Sequence, residues 1–281
     1  FLKTLQNKIM QSTSKIQNFT IRPLFSLILF IDADTPPIQR ILDDQVYDNF
    51  ELILISSSKK QIDSFISQNN ILNFQELVTD YLKINDITSI SKSDFFIFLN
   101  NFSKLHSDFI FNIVNNINQN NTVGDVYYFD DDFLDKHEKR INPFFKPDWN
   151  PYLLRSFNYI GNSFAIHGDL LRKLDNFLIY EKNIHYDLIL HCAEISNNFI
   201  HIAIPCSSII QIQKIDQSKI LSNHIRRLGL NAIIKYDEKL NSYRVNYSLQ
   251  QEPKVSIIIP TKNNKFLLKR CIDSLENNTN Y

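Results

Sequence analysis

The sequence predicts an α/β fold: a doubly wound, mostly parallel sheet with helices on both faces. Three observations lead there. Short runs such as FSLILFI at 25–31 and DFFIFL at 94–99 are apolar at nearly every position, as strands buried on both faces are. Between such runs lie segments whose apolar residues recur at helical spacing. The two kinds alternate along the chain, which is the pattern of βαβ units.

Leu2, Leu5, Ile9 and Met10 stand among polar residues and predict an amphipathic lead-in helix over 1–23. A module is expected over 24–213. Its first strand, 25–31, runs into a proline-bearing turn at 32–37, and Ile38, Ile41, Leu42 and Val46 then have helix spacing. ELILI at 51–55 is a second strand, followed by a helix over 60–68. A third strand at 94–99 precedes a helix in DFIFNIVNNI, 108–117, and DVYYF at 125–129 is a fourth strand. A strand at 159–166, helices at 169–174 and 185–195, and a strand at 199–204 complete the module. Residues 214–253 read as a helix, 218–228, and an extended linker. VSIII at 255–259 is a further strand. Phe266, Leu267, Cys271, Ile272 and Leu275 then give it a helix, so 254–281 is expected to be the truncated opening of a second module.

Composition sets limits. Hydrophobic residues make up 43% of the 281, enough for a sizeable core. Lys plus Arg equals Asp plus Glu at 30 each, which argues against a dedicated nucleic-acid binder. No apolar run reaches the roughly 20 residues that span a membrane. Three scattered cysteines make no disulfide framework or zinc knuckle and fit reduced thiols in the cytoplasm. With 4 glycines, the chain has no glycine-rich phosphate loop. It starts at Phe1 and not Met, as a fragment or a processed chain would.

Ligands of such sheets bind beyond the carboxyl ends of the strands. The segments to inspect are therefore 32–35, 56–58, 100–103 and 130–132.

Two stretches carry a family resemblance. DVYYFDDDFLDKHEKRINPFFKPDWNPYLLRSFNYIGNSFAIHGDLLRKLDNF, at 125–177, and VSIIIPTKNNKFLLKRCIDSL, at 255–275, resemble family 2 glycosyltransferases of the GT-A fold. The likeness is to tandem-domain bacterial proteins that build surface polysaccharides, whose text runs close to DVIYSDEDKID…GKRYDPFFKPDWSPDLLLSHNYIGH. A weaker match at 30–58 lies where the family has a PVYNTP turn, a helix and ELIIVDDGS. The resemblance implies transfer of a sugar from a nucleotide-sugar donor to a glycan or lipid-linked acceptor, with Mg2+ or Mn2+. It further implies a cytoplasmic location, at the inner face of the membrane if peripherally associated.

That chemistry has three needs: a carboxylate on the nucleoside, a divalent cation held by carboxylates against the diphosphate, and a base for the acceptor hydroxyl. At the position of the family's DDGS turn stand Ser56, Ser57 and Ser58, and at its LDxDD stand Leu99, Asn100, Asn101, Phe102 and Ser103. The nucleotide-side positions are thus Asp32, Ser57 and Asn100, and no residue is assigned as a metal ligand. The family's base position holds His185, beside Tyr186, Asp187 and Leu188. A histidine can take a proton near neutral pH, provided it faces a cleft with Asp130 or Asp132.

Asp130, Asp131 and Asp132 match the family's DED. They are either donor- or metal-side carboxylates or a solvated turn; Asp130 and Asp132, which share a strand face, are the better candidates. In FFKPDW, Lys146 and Trp149 are candidates for the acceptor side, against a reading as core and loop anchor. Asn158, Tyr159 and Gly161 match NYIG, where glycine permits close backbone approach. The expected function is glycosyl transfer in surface-polysaccharide synthesis, with the chemistry in the second module. The alternative is that the first module is a non-catalytic glycan- or partner-binding domain.

Overall fold

The computed structural model describes residues 16, 18–174, 177–179, 184–210, 216–248, 251 and 253–279. Nearly all of the lead-in helix expected over 1–23 lies outside them. In chain order the strands are β1 (Phe25–Phe30), β2 (Phe50–Ser56), β3 (Gln75–Val78), β4 (Leu82–Lys83), β5 (Phe95–Phe98), β6 (Ser103–Leu105), β7 (Val126–Leu134), β8 (Arg140–Phe144), β9 (Phe164–His167), β10 (Leu178–Ile179), β11 (Phe199–Ile209), β12 (Ala232–Asp237) and β13 (Ser242–Tyr247). The helices are α1 (Lys59–Asn69), α2 (Ile84–Ile90), α3 (Phe109–Asn120), α4 (Pro151–Ser156), α5 (Gly168–Arg172), α6 (Ile184–Ile195), α7 (Ser218–Arg227) and α8 (Lys265–Asn278).

Among the described residues, nine strands form one sheet in the order β3-β2-β1-β5-β9-β7-β11-β6, with β8 beside β7. Strands β3, β2, β1 and β5 run parallel, as do β7 and β11. The antiparallel β9 joins the two blocks. Two reversals restore the direction, so the carboxyl ends of β2, β1, β5, β7 and β11 lie along one edge. From β1 the chain winds outward through β2 to β3, then returns to lay β5 on the other side of β1. That reversal opens a crevice at the ends of β1 and β5, the place where such sheets take ligands.

The sheet is buried on both faces, and its strands alternate between two cores. In β1, Ile28 enters a cluster with Ile84 and Ile87 of α2, Leu170 and Leu171 of α5, and Leu188 and Ile189 of α6. Phe25, Leu27 and Leu29 enter the other cluster, with Ile62 and Phe65 of α1 and Phe109, Ile113 and Val114 of α3. This period of two across a doubly covered sheet is why the strands read as unbroken apolar runs. Both α1 and α3 stop at an asparagine in the left-handed region, Asn70 (φ 52°) and Asn121 (φ 49°), a helix end that asparagine tolerates.

Three elements differ from the sequence reading. The helix expected around Ile38–Val46 is a single 3-10 turn, Ile38–Arg40. Beyond it the backbone is drawn away: Leu105 N–H donates to Ile41 O (2.9 Å) and Asp43 N–H to Leu105 O (3.0 Å). The extended linker is instead the β12–β13 hairpin, turned at Asn241 (φ 49°). It is held to α4 by Arg155 Nη1–H donating to Tyr247 Oη (3.1 Å). Residues 255–259 pair with no other strand among the described residues, and no residue of α8 is buried. Val255, Ile257, Ile258, Phe266 and Leu267 are exposed there.

Candidate functional site

The motifs spread over the sequence meet at the carboxyl edge of the sheet. Asp32 follows β1, and its Oδ1 accepts from Asp34 N–H (2.9 Å) and Thr35 Oγ1–H (2.8 Å), an Asx turn. Ser57 is exposed after β2. Asn100 follows β5; its Oδ1 accepts from Phe102 N–H (2.8 Å) and its Nδ2–H donates to Ser103 Oγ (2.9 Å). Asp32 and Asn100 thus flank the crevice, and their side chains shape the loops they begin.

Strand β7 is longer than the sequence suggested. Asp130, Asp131 and Asp132 lie inside it, buried, and do not form a solvated turn. Each carboxylate has its own basic partner. Asp130 Oδ1 accepts from His201 Nε2 (2.9 Å) and from Lys146 N–H (2.8 Å). Asp131 Oδ2 lies 2.6 Å from Lys146 Nζ, and Ser207 Oγ–H donates to its other oxygen. Asp132 Oδ2 accepts from Arg140 Nε–H (2.5 Å), and Ser208 Oγ–H donates to Oδ1. The middle aspartate, the weaker candidate by sequence, is the one that holds the buried lysine.

The other two motifs close over this ladder. Lys146 has a fully buried side chain and also donates from Nζ to Ile160 O (2.7 Å). Gly161 has φ +78°, and a Cβ there would stand 3.2 Å from Asp131 Oδ2 and 3.6 Å from Lys146 Nζ. The NYIG glycine therefore lets the backbone lie against the ion pair. Asn158 Oδ1 accepts from Gly161 N–H (3.1 Å) and fixes that turn. Tyr159 Oη accepts from Asn150 N–H (2.9 Å), and Asn150 caps α4 by accepting from Leu153 N–H (2.9 Å). Trp149 stacks on Phe199, with centroids 3.8 Å apart at 7°. One indole face is thereby spent on packing, and its Nε1–H is buried without a partner. Phe145, beside Lys146, is exposed.

His185 is placed differently from the sequence expectation. It is buried at the start of α6, and its Nε2–H donates to the Phe98 carbonyl (2.8 Å), with its ring edge-on to Phe164. Burial lowers its pKa to about 4, so it is neutral and a weak base at pH 7. Asp130 and Asp132, with which it was expected to share a cleft, are engaged by His201, Lys146 and Arg140. Asp187 pairs with His191 (3.2 Å) and Arg227 (3.5 Å).

His201, Arg140, Ser207 and Ser208 were not picked out as partners by sequence reasoning. The signal is in the register: β11 runs parallel to β7 and sets Ser207 against Asp131 and Ser208 against Asp132. His201 also stacks on Tyr128 (4.9 Å, 12°), which holds its ring over the Asp130 carboxylate.

A divalent cation of the kind the resemblance implies needs several free, anionic oxygens. The residues present do not fit that need. Asn100 offers a neutral amide already engaged by its loop, and the β7 carboxylates are taken by nitrogen cations and hydroxyls. Among the described residues, no group of three or more His, Cys, Asp or Glu could hold a metal ion. Nor is any described helix long and apolar enough to cross a membrane.

Fold and motifs together define a class. No family model matches the chain. The chain is 32% identical over 170 residues to the O-antigen biosynthesis protein RfbC of Myxococcus xanthus, covering 56% of this chain and 13% of that protein. It is 28% identical over 173 residues to the uncharacterized protein y4gI of Sinorhizobium fredii, covering 56% and 19%. The chain thus spans less than a fifth of either relative's length. A crystal structure of S. aureus TarS 1–349 with UDP-GlcNAc matches at a TM-score of 0.51 and 11% identity, over 69% of this chain and 60% of that one. A second TarS structure matches at 0.52 and 12%, over 73% and 39%. The fold is that of these glycosyltransferase structures, and the resemblance to bacterial polysaccharide glycosyltransferases read from the sequence is shown.

Proposed function

We propose that residues 24–213 are a glycosyltransferase-fold module that recognises a sugar-bearing ligand without metal-dependent transfer. On this reading the parent protein is a family 2 glycosyltransferase acting in bacterial surface-polysaccharide synthesis. The transfer step belongs to a second module opening at residue 254, where VSIIIPTKN is the better-formed family text. Residues 214–253 join the two. The donor is a nucleotide-sugar and the acceptor a glycan or a lipid-linked glycan.

One observation carries this reading. The family's cation and nucleoside positions hold Asn100 and Ser57, while the nearby acidic triplet is neutralised from within by Lys146, Arg140 and His201. Likeness to an O-antigen biosynthesis protein supports the pathway class. The exposed apolar residues of 255–267, without strand partners among the described residues, support an incomplete second unit there.

The test uses the whole chain. Nucleoside diphosphate release from UDP- and GDP-sugars is followed with and without Mn2+, alongside saccharide binding read by the fluorescence of Trp149, the one tryptophan. The reading expects no metal-dependent release and a metal-independent fluorescence change. Metal-dependent turnover by this chain would refute it.

A further inference from the structure

We infer that Lys146 is the resident cation of this site, a fixed ammonium standing where a divalent ion would otherwise collect. The inference rests on the proposed function only in taking the cluster of loops at the ends of β5, β7 and β11 as the site.

The ligand set around Lys146 Nζ is an oxygen cage. Asp131 Oδ2 lies at 2.6 Å and the Ile160 carbonyl at 2.7 Å. Ser207 sits on the other oxygen of Asp131. The Asp130 carboxylate is bonded to the backbone N–H of the same lysine. Carboxylate, carbonyl and hydroxyl oxygens are what hard divalent cations take. Here they converge on a nitrogen instead. The ammonium carries a single charge, sufficient for one carboxylate, and it is tethered, so no ion from solvent competes with it. Gly161 packs its backbone over the pair, and any larger residue there would push against Asp131. Arg140 and His201 engage the neighbouring aspartates, so neither has a free oxygen pair to hold a metal from the side.

If the lysine fills the cation position, removing it should open a cation site. Lys146→Ala leaves Asp131, the Ile160 carbonyl and the Ser207 hydroxyl around a space with an uncompensated carboxylate. The experiment compares thermal unfolding of the full chain and of Lys146→Ala in EDTA and in Mn2+ at matched ionic strength. Mn2+ binding is also read directly by the loss of the free-ion electron paramagnetic resonance signal. The parent chain should bind no Mn2+ and show no Mn2+-dependent shift. The variant should melt lower in EDTA and regain about 5 °C at saturating Mn2+. Lys146→Ala/Asp131→Asn should lose that response.

If Lys146→Ala does not fold, Lys146→Gln, which keeps most of the volume, takes its place, and the resonance titration of the parent chain still decides its half. Mn2+ binding by the parent overturns both this inference and the proposed function. A silent parent with a silent, folded variant overturns the inference alone.

Discussion

Lys146 Nζ lies 2.6 Å from Asp131 Oδ2, and both side chains are almost wholly out of solvent. A buried pair of this kind adds little net stability over an apolar replacement, yet breaking it on one side is costly. Lys146→Met should therefore cost about 3–5 kcal/mol in urea unfolding. Lys146→Met/Asp131→Leu should cost clearly less than the two single changes summed. Additive losses would mean that the two side chains do not act as a pair.

Gly161 should resist substitution for two reasons that act together. Its φ of +78° disfavours any L side chain, and the added Cβ would meet Asp131 at 3.2 Å. Gly161→Ala should lose about 1–3 kcal/mol. Gly229, whose φ is +66° with nothing within 4 Å of a Cβ, serves as the control. Gly229→Ala should lose less, the difference being the contact with the ion pair.

His185 gives the protein a pH dependence of known sign. Burial lowers its folded pKa to about 4, against about 6.5 in the unfolded chain. Between those values the unfolded chain binds the proton and the folded protein does not. The stability this group protects is whole above about pH 6.5 and falls by about 1.4 kcal/mol per pH unit below it. His185→Gln should flatten that slope. The ring C–H resonances of His185 should stay at neutral-imidazole shifts at pH 5.5; a midpoint near 6.5 would contradict the burial.

Glu194 works in the opposite pH range. Burial pushes its carboxyl up, but hydrogen bonds from His224 and Arg227 outweigh this and hold it below the usual value. Its folded pKa is depressed, so its contribution is present above about pH 4.3 and is lost as pH falls through the folded value. Glu194→Gln should cost about 1.5–3 kcal/mol at pH 6. The gap between variant and parent should close near pH 3. A gap that persists at pH 3 would mean the hydrogen bonds do not depend on the charge.

Much of the sheet was legible because β1, β2 and β5 are buried on both faces and carry little else but apolar residues. Helices α1, α3 and α6 were legible because one apolar face recurs at 3.6 residues. The helix expected at Ile38–Val46 shows the limit. Its spacing is helical, but Leu105 pairs with the backbone at Ile41 and Asp43, and a tertiary contact beats a local preference. Strand β3 and helix α2 were passed over because an edge strand of four residues and a helix of seven leave little period to read. At the site, the positions of Asp32, Asn100, Asp130, Lys146, Asn158 and Tyr159 were readable from motif text. What they bond to was not. The pairing of Asp131 with Lys146 and Ser207 depends on strand register and on the Gly161 turn, neither of which any local run of residues encodes.

The most direct measurement is a calorimetric titration of the whole chain with UDP, in Mn2+ and again in EDTA. The account predicts that Mn2+ changes neither the heat nor the midpoint, because no set of free carboxylates bridges a cation to the diphosphate. Saturable one-to-one binding that appears with Mn2+ and vanishes with EDTA would contradict it.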